Sequence, residues 1–270
     1  MRRWTILLAL LLPSLFASPA LADEQIASNG AVTATFSFES GDEYGYSDLR
    51  LRIERDAQLL YDDAVSAEGC EEPSCQPGAV DRDSVSVADL DADGEPEVVV
   101  TLYWGGAHCC TIALVLAFDG AGYRVVEHNF GNPSIRLADL DHDGTTEFLT
   151  ADDRFAYRYT SYASSVLPVR VMAWDGRRLV DETQAHKDRV RADLGRTWRL
   201  MRSSSRRGYE PRGAAAAWAA NRYRLGKRQS TLRTLRRLAR TDRLPGFPTR
   251  DPLRFVSALD RFLVRSGFAP

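Results

Sequence analysis

The chain has 270 residues, of which 44% are hydrophobic and 27% are charged. A chain of this length and composition can bury a sizeable core in one or two domains, which excludes a disordered or collagen-like protein. The formal net charge of −2 conceals an asymmetry, because residues 23–182 hold 11 Lys and Arg against 31 Asp and Glu, whereas residues 183–270 hold 22 against 6. We therefore expect an acidic front part and a basic back part of different character.

The first 22 residues have the features of an export signal. Residues 1–3 carry two arginines, residues 6–12 form an unbroken apolar run, and small residues occupy positions 20 and 22, as signal peptidase requires. Prolines at 13 and 19 interrupt the apolar stretch, which argues against an uncleaved membrane anchor. We expect cleavage after Ala22, a mature chain without a transmembrane segment, and a secreted or periplasmic location.

The segment 30–66 predicts a first, degenerate repeat unit. Residues 32–38 and 49–54 alternate between apolar and polar side chains, as half-buried strands do, and residues 59–64 are compatible with a third strand. This unit lacks an acidic loop of the kind that occurs further along the chain.

A repeat with a period of 50 residues organises the rest of the acidic part, in units at about 84–133 and 134–182. The sequence Ala-Asp-Leu-Asp begins the acidic loop of both units, and an Asp-Gly pair between β-rich runs follows in each. The pattern predicts four short antiparallel strands per unit, which in the first unit lie at about 84–88, 97–103, 111–118 and 123–128. This period and strand number are typical of a propeller blade. Three units are fewer than the ~4 blades of the smallest closed propellers, so we expect an open or partial array with a covered end.

Each of these two units contains an acidic loop with carboxylates at loop positions 1, 3, 5 and 9 and a glycine at position 6. Alternate residues of a tight loop direct oxygen atoms inward, glycine permits the sharp turn, and a hard cation prefers several oxygen ligands. The pattern predicts two calcium ions, with a main-chain carbonyl as the ligand from position 7. An EF-hand is excluded, because position 12 is not acidic. The candidate ligands are Asp89, Asp91, Asp93, Glu95 and Glu97 in the first loop, and Asp139, Asp141, Asp143, Thr145 and Glu147 in the second.

The acidic loops resemble those of the integrin-type FG-GAP or VCBS repeats. The second loop follows Phe130 and Gly131, which are similar to the Phe-Gly signature of that family. The resemblance extends from about residue 80 to residue 182. It implies β-propeller modules whose loops hold calcium between two strands. A full seven-bladed ring is not expected, because only two such loops occur in the sequence.

The loops that follow the second strand of each unit are rich in aromatic residues and form a candidate ligand face. Two interpretations stay open, since aromatic residues at alternating positions also occur on one packed face of a strand. The candidate residues are Tyr103, Trp104, His108, Phe155, Tyr157, Tyr159 and Tyr162.

Four cysteines, Cys70, Cys75, Cys109 and Cys110, predict two disulfides in an oxidising compartment. Three pairings are open. We favour a crossed pairing between the first two and the last two, because a bridge between adjacent cysteines departs from ordinary disulfide geometry.

The basic part, residues 183–270, predicts four helices at about 185–203, 212–226, 229–242 and 252–265. Arginine outnumbers lysine 20 to 2 in this part. Its arginines either pair with the acidic β part or bind an anionic polymer or lipid, and nucleic acid is not expected outside the cytoplasm.

Together these features predict a mainly β protein, with a propeller-like repeat domain at 23–182 and a basic α-helical domain at 183–270. We expect a binding or scaffolding module of the cell envelope whose ligand is a protein or a glycan. One alternative is an envelope hydrolase that uses the face around His108, and another is a surface binder that acts through the basic domain. No motif combines a nucleophile, a base and an orienting group, which disfavours an enzyme.

Overall fold

The computed structural model describes residues 23–40, 46–67, 77–79, 83–104, 109–207, 210–246 and 249–269. The predicted export signal, two of the cysteines (Cys70 and Cys75) and His108 lie outside the described residues. No helix among the described residues is long and apolar enough to cross a membrane.

Three antiparallel sheets follow one another along the chain. The first is the meander β1 (Asp23–Asn29), β2 (Val32–Ser40), β3 (Tyr46–Arg55) and β4 (Gln58–Ala64). The second contains β5 (Pro77–Ala79), β6 (Val85–Ala88), β7 (Glu97–Trp104), β8 (Thr111–Phe118) and β9 (Tyr123–Gly131), with β5 and β6 on the same edge of β7. The third contains β10 (Arg136–Ala138), β11 (Glu147–Ala151), β12 (Val169–Trp174) and β13 (Leu179–Asp181).

The predicted strands are present in the structure, with small differences at their ends. The four strands predicted for the first repeat unit are present, with ends that differ by three residues at most. The predicted degenerate unit is a complete four-stranded sheet that begins at Asp23, because β1 pairs along its whole length with β2. Strand β1 was not predicted, since Asp23–Asn29 is mostly polar and exposed and carries no clear alternation.

The second sheet is buried on both faces, and this places it between the other two. Successive residues of a strand point to opposite faces. On β7, Val98 and Val100 pack against the first sheet, whereas Val99 packs against the third. On β8, Leu114 faces the first sheet and Val115 faces the third. The three sheets are therefore stacked in chain order.

The outer face of the first sheet is mostly polar, although Ile26 of β1 is exposed on it. Thr35 and Arg52 are paired across β2 and β3 on this face, as are Ser37 and Arg50. The intervening residues of β2, such as Phe36, are buried against the second sheet. A polar outer face is what the terminal unit of a stacked array needs, because it ends the array in water.

The basic part contains the four predicted helices: α1 (Lys187–Arg207), α2 (Arg212–Arg224), α3 (Arg228–Arg240) and α4 (Pro252–Arg265). The alanine-rich α2 is buried along nearly its whole length and lies at the centre of the helical core. At Gly213 an added Cβ would lie 2.4 Å from the main-chain oxygen of Ser164. The glycine therefore permits close contact between α2 and the long loop between β11 and β12.

The helical part packs on the third sheet and on the loop between β11 and β12. Phe155 and Tyr159 of that loop insert into the helical core. The buried carboxylate of Asp193 on α1 accepts hydrogen bonds from the main-chain N of Val169 (3.0 Å), from Nδ2 of Asn221 (2.7 Å) and from Nε of Arg196 (2.6 Å). Asp193 thus connects β12 with α1 and α2.

Arginines of the helical part contact the β part mainly through main-chain oxygens. Arg189 donates to the oxygen of Leu140 (3.0 Å), Arg196 donates to that of Leu167 (3.1 Å), and Arg224 donates to that of Val169. Arg224 also lies 3.9 Å from the fully buried carboxylate of Asp152. Burial is the main reason why the pKa of Arg224 is lowered to about 10. The shift would be larger without the nearby carboxylate of Asp152. The charge asymmetry suggested that these arginines pair with carboxylates of the β part. Such pairing occurs, but hydrogen bonds to main-chain carbonyl groups dominate the contact between the two parts.

We expect Asp193→Ala to reduce the free energy of unfolding by on the order of 3 kcal/mol, because it leaves the part-buried main-chain amide of Val169 and the buried side-chain amide of Asn221 without an acceptor. Urea denaturation of the full chain measures the change. Asp188→Ala is the matched control, since Asp188 lies on the same helix with its side chain 66% exposed. Equal effects of the two substitutions would show that Asp193 does not hold the two parts together.

Candidate metal centre

Each acidic loop connects the first two strands of its repeat unit, β6 to β7 and β10 to β11. The structure brings together three carboxylates in each loop. Their ligand oxygens, one from each residue, lie within 4.8 Å of one another. The two clusters are Asp89, Asp91 and Glu97 in the first loop, and Asp139, Asp141 and Glu147 in the second.

The two loops follow the same backbone path. Residues at loop position 4, Ala92 and His142, have positive φ angles of 59° and 66°. The position-6 glycines, Gly94 and Gly144, have φ angles of 91° and 96°, a conformation that favours glycine. The main-chain N of each of these glycines donates to the carboxylate at loop position 1, at 2.9 Å in the first loop and 3.2 Å in the second.

The glutamate at loop position 9 closes each loop from within. Oε2 of Glu97 accepts a hydrogen bond from the main-chain N of Leu90 at 3.0 Å, and Oε2 of Glu147 accepts one from Leu140 at 2.8 Å. These glutamates are only 4% and 2% exposed. Both carboxylates are therefore fixed in position and point toward the aspartates of their own loop.

The residues at positions 5 and 7 support the loops. The carboxylate of Asp93 accepts from the main-chain N of Glu95 (2.8 Å), and that of Asp143 accepts from the main-chain N of Thr145 (2.9 Å). The side chain of Glu95 pairs with Arg55 of the first sheet. That pairing is compatible with the predicted role of position 7, since only its main-chain oxygen would serve as a ligand.

The electrostatics of the first loop favour a bound cation. Burial, together with the nearby charges of Asp91 and Asp93, raises the pKa of Glu97 to about 7. Burial and the charge of Asp93 also raise the pKa of Asp91. Oδ1 of Asp91 is buried and has no hydrogen-bond partner among the described residues. A cation among these carboxylates would satisfy this oxygen and balance the repulsion, so the residues present fit a metal ion.

In the second loop the side chain at position 7, Thr145, contacts the carboxylates of its own loop, whereas its counterpart Glu95 in the first loop pairs with Arg55. The hydroxyl group of Thr145 contacts Oδ1 of Asp143 at 2.6 Å and Oε1 of Glu147 at 2.8 Å. Hydrogen bonds from the Thr145 hydroxyl and main-chain N lower the pKa of Asp143, and the nearby His186 lowers it further. Asp141 of this loop is exposed, whereas its counterpart Asp91 is half-buried, so the second loop is the more open of the two.

The acidic loops of the two units are in direct contact. The main-chain N of Thr146 in the second loop donates to the oxygen of Leu90 in the first at 3.1 Å. The equivalent oxygen in the second loop belongs to Leu140, and it accepts instead from Nη2 of Arg189 on α1. Helix α1 thus contacts the second loop at the position that the loop of a further repeat unit would occupy.

The fold buries part of the predicted ligand face and leaves another part exposed. Phe155 and Tyr159 are buried in the helical core, and their segment forms short 3-10 turns instead of the strand suggested by their alternation. Tyr157 is 52% exposed and its ring contacts that of Tyr162, with centroids 5.2 Å apart. The hydroxyl group of Tyr103 accepts from the main-chain N of Cys109 at 3.1 Å. The side chain of Trp104 and all of His108 lie outside the described residues.

The favoured crossed pairing of the cysteines is wrong for the pair that the structure describes. Cys109 is bonded to Cys110. Adjacent side chains point apart in a regular strand, but both cysteines precede β8, which begins at Thr111. The other two cysteines lie outside the described residues.

Two residues that position the site and its surroundings were not predicted from the sequence. Asp193 lies three residues after Val190 and one before Leu194, on the apolar side of the predicted helix. An acid at such a position is a signal of a buried hydrogen-bond acceptor. For Arg189 the sequence carries no comparable signal, since Lys187, Asp188 and Arg191 close to it are also charged.

The chain is similar to two curated proteins over part of its length. It is 31% identical to the uncharacterized protein y4bJ of Sinorhizobium fredii over 139 residues, which make up 50% of this chain and 22% of that protein. It is 35% identical to the probable thylakoid lumen protein sll0997 of Synechocystis over 101 residues, which make up 36% of this chain and 30% of that protein. The matched region is thus less than a third of either relative. No protein-family model and no solved structure matches the chain.

We expect the metal-free protein to lose stability as the pH rises from 5 to 8. A carboxyl group whose pKa is raised from 4.5 to about 7 stabilises the folded state when it is protonated. This contribution, on the order of 3 kcal/mol, is fully present below pH 4.5 and is lost as the pH rises through 7. Urea denaturation in a chelating buffer at several pH values measures the effect.

Glu97→Gln removes the titrating group, so its stability in the same buffer should change much less over this pH range. Glu182→Gln serves as the control, because Glu182 is exposed and lies outside the loops. A wild-type stability that is constant from pH 5 to 8 in chelator would contradict the assignment.

Proposed function

We propose that this chain is an exported calcium-binding repeat protein, and that it acts as a binding or scaffolding module outside the cytoplasm. The observation that carries the proposal is the pair of carboxylate clusters, which have the same spacing, backbone path and buried glutamate in both units. Two copies of one arrangement are difficult to explain as solvated turns, since a turn does not need three converging carboxylates.

The donor set favours calcium over other metals. Each loop offers carboxylate oxygens from positions 1, 3, 5 and 9 and a main-chain oxygen at position 7. Calcium prefers six to eight oxygen ligands at about 2.3–2.6 Å, whereas zinc prefers nitrogen and sulfur. The unpartnered oxygen of Asp91 supports the same conclusion. When bound, the ion would cross-link the ends of two strands, and we assign it a structural role.

We further propose that the three stacked sheets are blades of a partial propeller of the FG-GAP or VCBS type. The acidic loops occupy equivalent positions, between β6 and β7 in the second sheet and between β10 and β11 in the third, and this supports the assignment. The polar outer face of the first sheet and the helical part on the third sheet occupy the two ends of the stack. Neither end presents the apolar face that a further blade would require.

Two observations support a location outside the cytoplasm. The first 22 residues carry the sequence features of a cleaved export signal. One relative is described as a probable thylakoid lumen protein, and the lumen is reached by export. An envelope or extracellular protein or glycan is therefore the ligand class that we propose.

The fold reduces the candidate ligand face to a smaller group of aromatic residues. Phe155 and Tyr159 were candidates for the ligand face, and with it for the hydrolase alternative, but their rings are enclosed by the helical core. Tyr103, Tyr157 and Tyr162 remain at least partly accessible. This smaller aromatic group suits contact with a glycan or a protein.

Calcium titration of the mature protein by calorimetry should give two sites. Asp91→Ala and Asp141→Ala should each leave one site, because each substitution removes a central carboxylate from a different loop. Saturating calcium should also raise the melting temperature, since the ion binds the folded loop better than the unfolded chain.

Asp119→Ala is the control for this titration, because Asp119 lies in a hairpin turn and belongs to neither cluster. Its stoichiometry should remain at two sites. No saturable binding to the wild type, or two sites in both loop variants, would overturn the calcium assignment.

The calcium-loaded protein should also bind an envelope component without converting it. Immobilised glycans, peptidoglycan fragments and peptides are suitable probes, with each bound probe recovered and checked for cleavage by mass spectrometry. We expect association with intact probe. Turnover that disappears in His108→Ala would place the hydrolase alternative first.

A further inference from the structure

The helical part contains a groove that the calcium sites and the docking contacts do not use. It lies between the C-terminal halves of α1 and α3 and has a volume of about 580 Å³. This volume is within the range of small-molecule sites, about 300–1,000 Å³. The groove is lined by Trp198, Met201, Arg202, Arg237, Leu238, Asp242 and Arg243.

The floor of the groove is apolar. Met201 is 3% exposed and belongs to the helical core, and the half-buried Trp198 and Leu238 pack against that core. The ring of Trp198 also contacts that of Trp218, with centroids 5.3 Å apart. The floor is therefore a rigid, mainly hydrocarbon surface held in place by the packing of α1, α2 and α3.

The rim of the groove is strongly basic. Arg202, Arg237 and Arg243 are all exposed, and within the described part of the chain none of their guanidinium groups has a hydrogen-bond or ion-pair partner. Some other arginines of the helical part are paired with carboxylates; Arg228, for example, forms two hydrogen bonds with Asp260, at 2.9 and 3.0 Å. Asp242 is the one acid in the lining, so the groove has a net positive charge.

We propose that this groove binds a small amphiphile that carries a phosphate or carboxylate group on an apolar chain. Guanidinium groups match the geometry of both anions and can bind them through paired hydrogen bonds. The apolar floor would cover the hydrocarbon chain, while the anionic group would lie among the three arginines at the rim.

The arrangement favours an amphiphile over an acidic polypeptide or a polyanion. A peptide would place backbone amide groups on an apolar floor that offers them few partners. A polyanion would contact the arginines but would leave the floor exposed to water. A hydrocarbon chain with one anionic end matches both the floor and the rim.

Binding of dodecyl phosphate to the full, calcium-loaded chain tests the proposal. Below the critical micelle concentration, calorimetry should show saturable one-to-one binding, and tryptophan fluorescence should change because Trp198 lines the groove. Inorganic phosphate and dodecyl maltoside should each bind about tenfold more weakly or worse, since one lacks the chain and the other lacks the charge.

The double variant Arg237→Gln/Arg243→Gln should weaken the binding of dodecyl phosphate by about tenfold or more. Its matched control is Arg233→Gln/Arg240→Gln, which removes two exposed arginines of α3 that do not line the groove. The control should change the affinity by less than about threefold. Circular dichroism of both variants verifies that the helices remain folded.

Three results would overturn the proposal. Equal losses in the two double variants would indicate diffuse attraction to the basic surface. Equal binding of dodecyl maltoside and dodecyl phosphate would show that the arginines do not select an anion. Displacement of dodecyl phosphate by a glutamate-rich peptide at lower concentration would assign the groove to an acidic polypeptide.

Discussion

One buried hydrogen bond closes each acidic loop, and the geometry of both candidate metal sites depends on it. The bond joins the glutamate at loop position 9 to the main-chain N of the leucine at position 2, as in Glu97 and Leu90. It ties the end of one strand to the start of the next and thereby gathers the aspartates around the glutamate. Because this carboxylate is almost excluded from water, its charge needs a proton or a cation nearby. The stability of the hairpin and the proposed binding of calcium therefore depend on the same side chain.

The stack of sheets is continued by helices at one end. The main-chain oxygen of Leu90 accepts from Thr146 in the next repeat unit, whereas the equivalent oxygen of Leu140 accepts from Arg189 on α1. The same acceptor is thus satisfied once by the neighbouring sheet's loop and once by the helical part. Phe155 and Tyr159 extend this contact into the helical core. The basic domain accordingly serves as an end unit that covers the last sheet without being a sheet itself.

The many arginines of the helical part are divided between two environments. Arg189, Arg196 and Arg224 bind main-chain oxygens of the β part, a task for which the several donors of one guanidinium are well suited. The guanidinium groups of Arg237 and Arg243 instead line the groove, with no partner among the described residues. The charge asymmetry of the sequence therefore combines a structural contribution with a surface that remains available for an anionic ligand.

The sequence by itself determined the strands of the repeat units, the four helices and all the carboxylates of the two clusters. These features depend on local patterns: a period of two for strands, about 3.6 for helices, and a fixed spacing of acids and glycine within a short loop. The burial of Phe155 and Tyr159 was decided only by the tertiary structure, although their alternation is that of a strand. The partners of Arg189 and Asp193 were decided in the same way. Periodicity reports the local path of the backbone, whereas burial and hydrogen-bond partners depend on which distant surfaces meet when the helices pack on the last sheet.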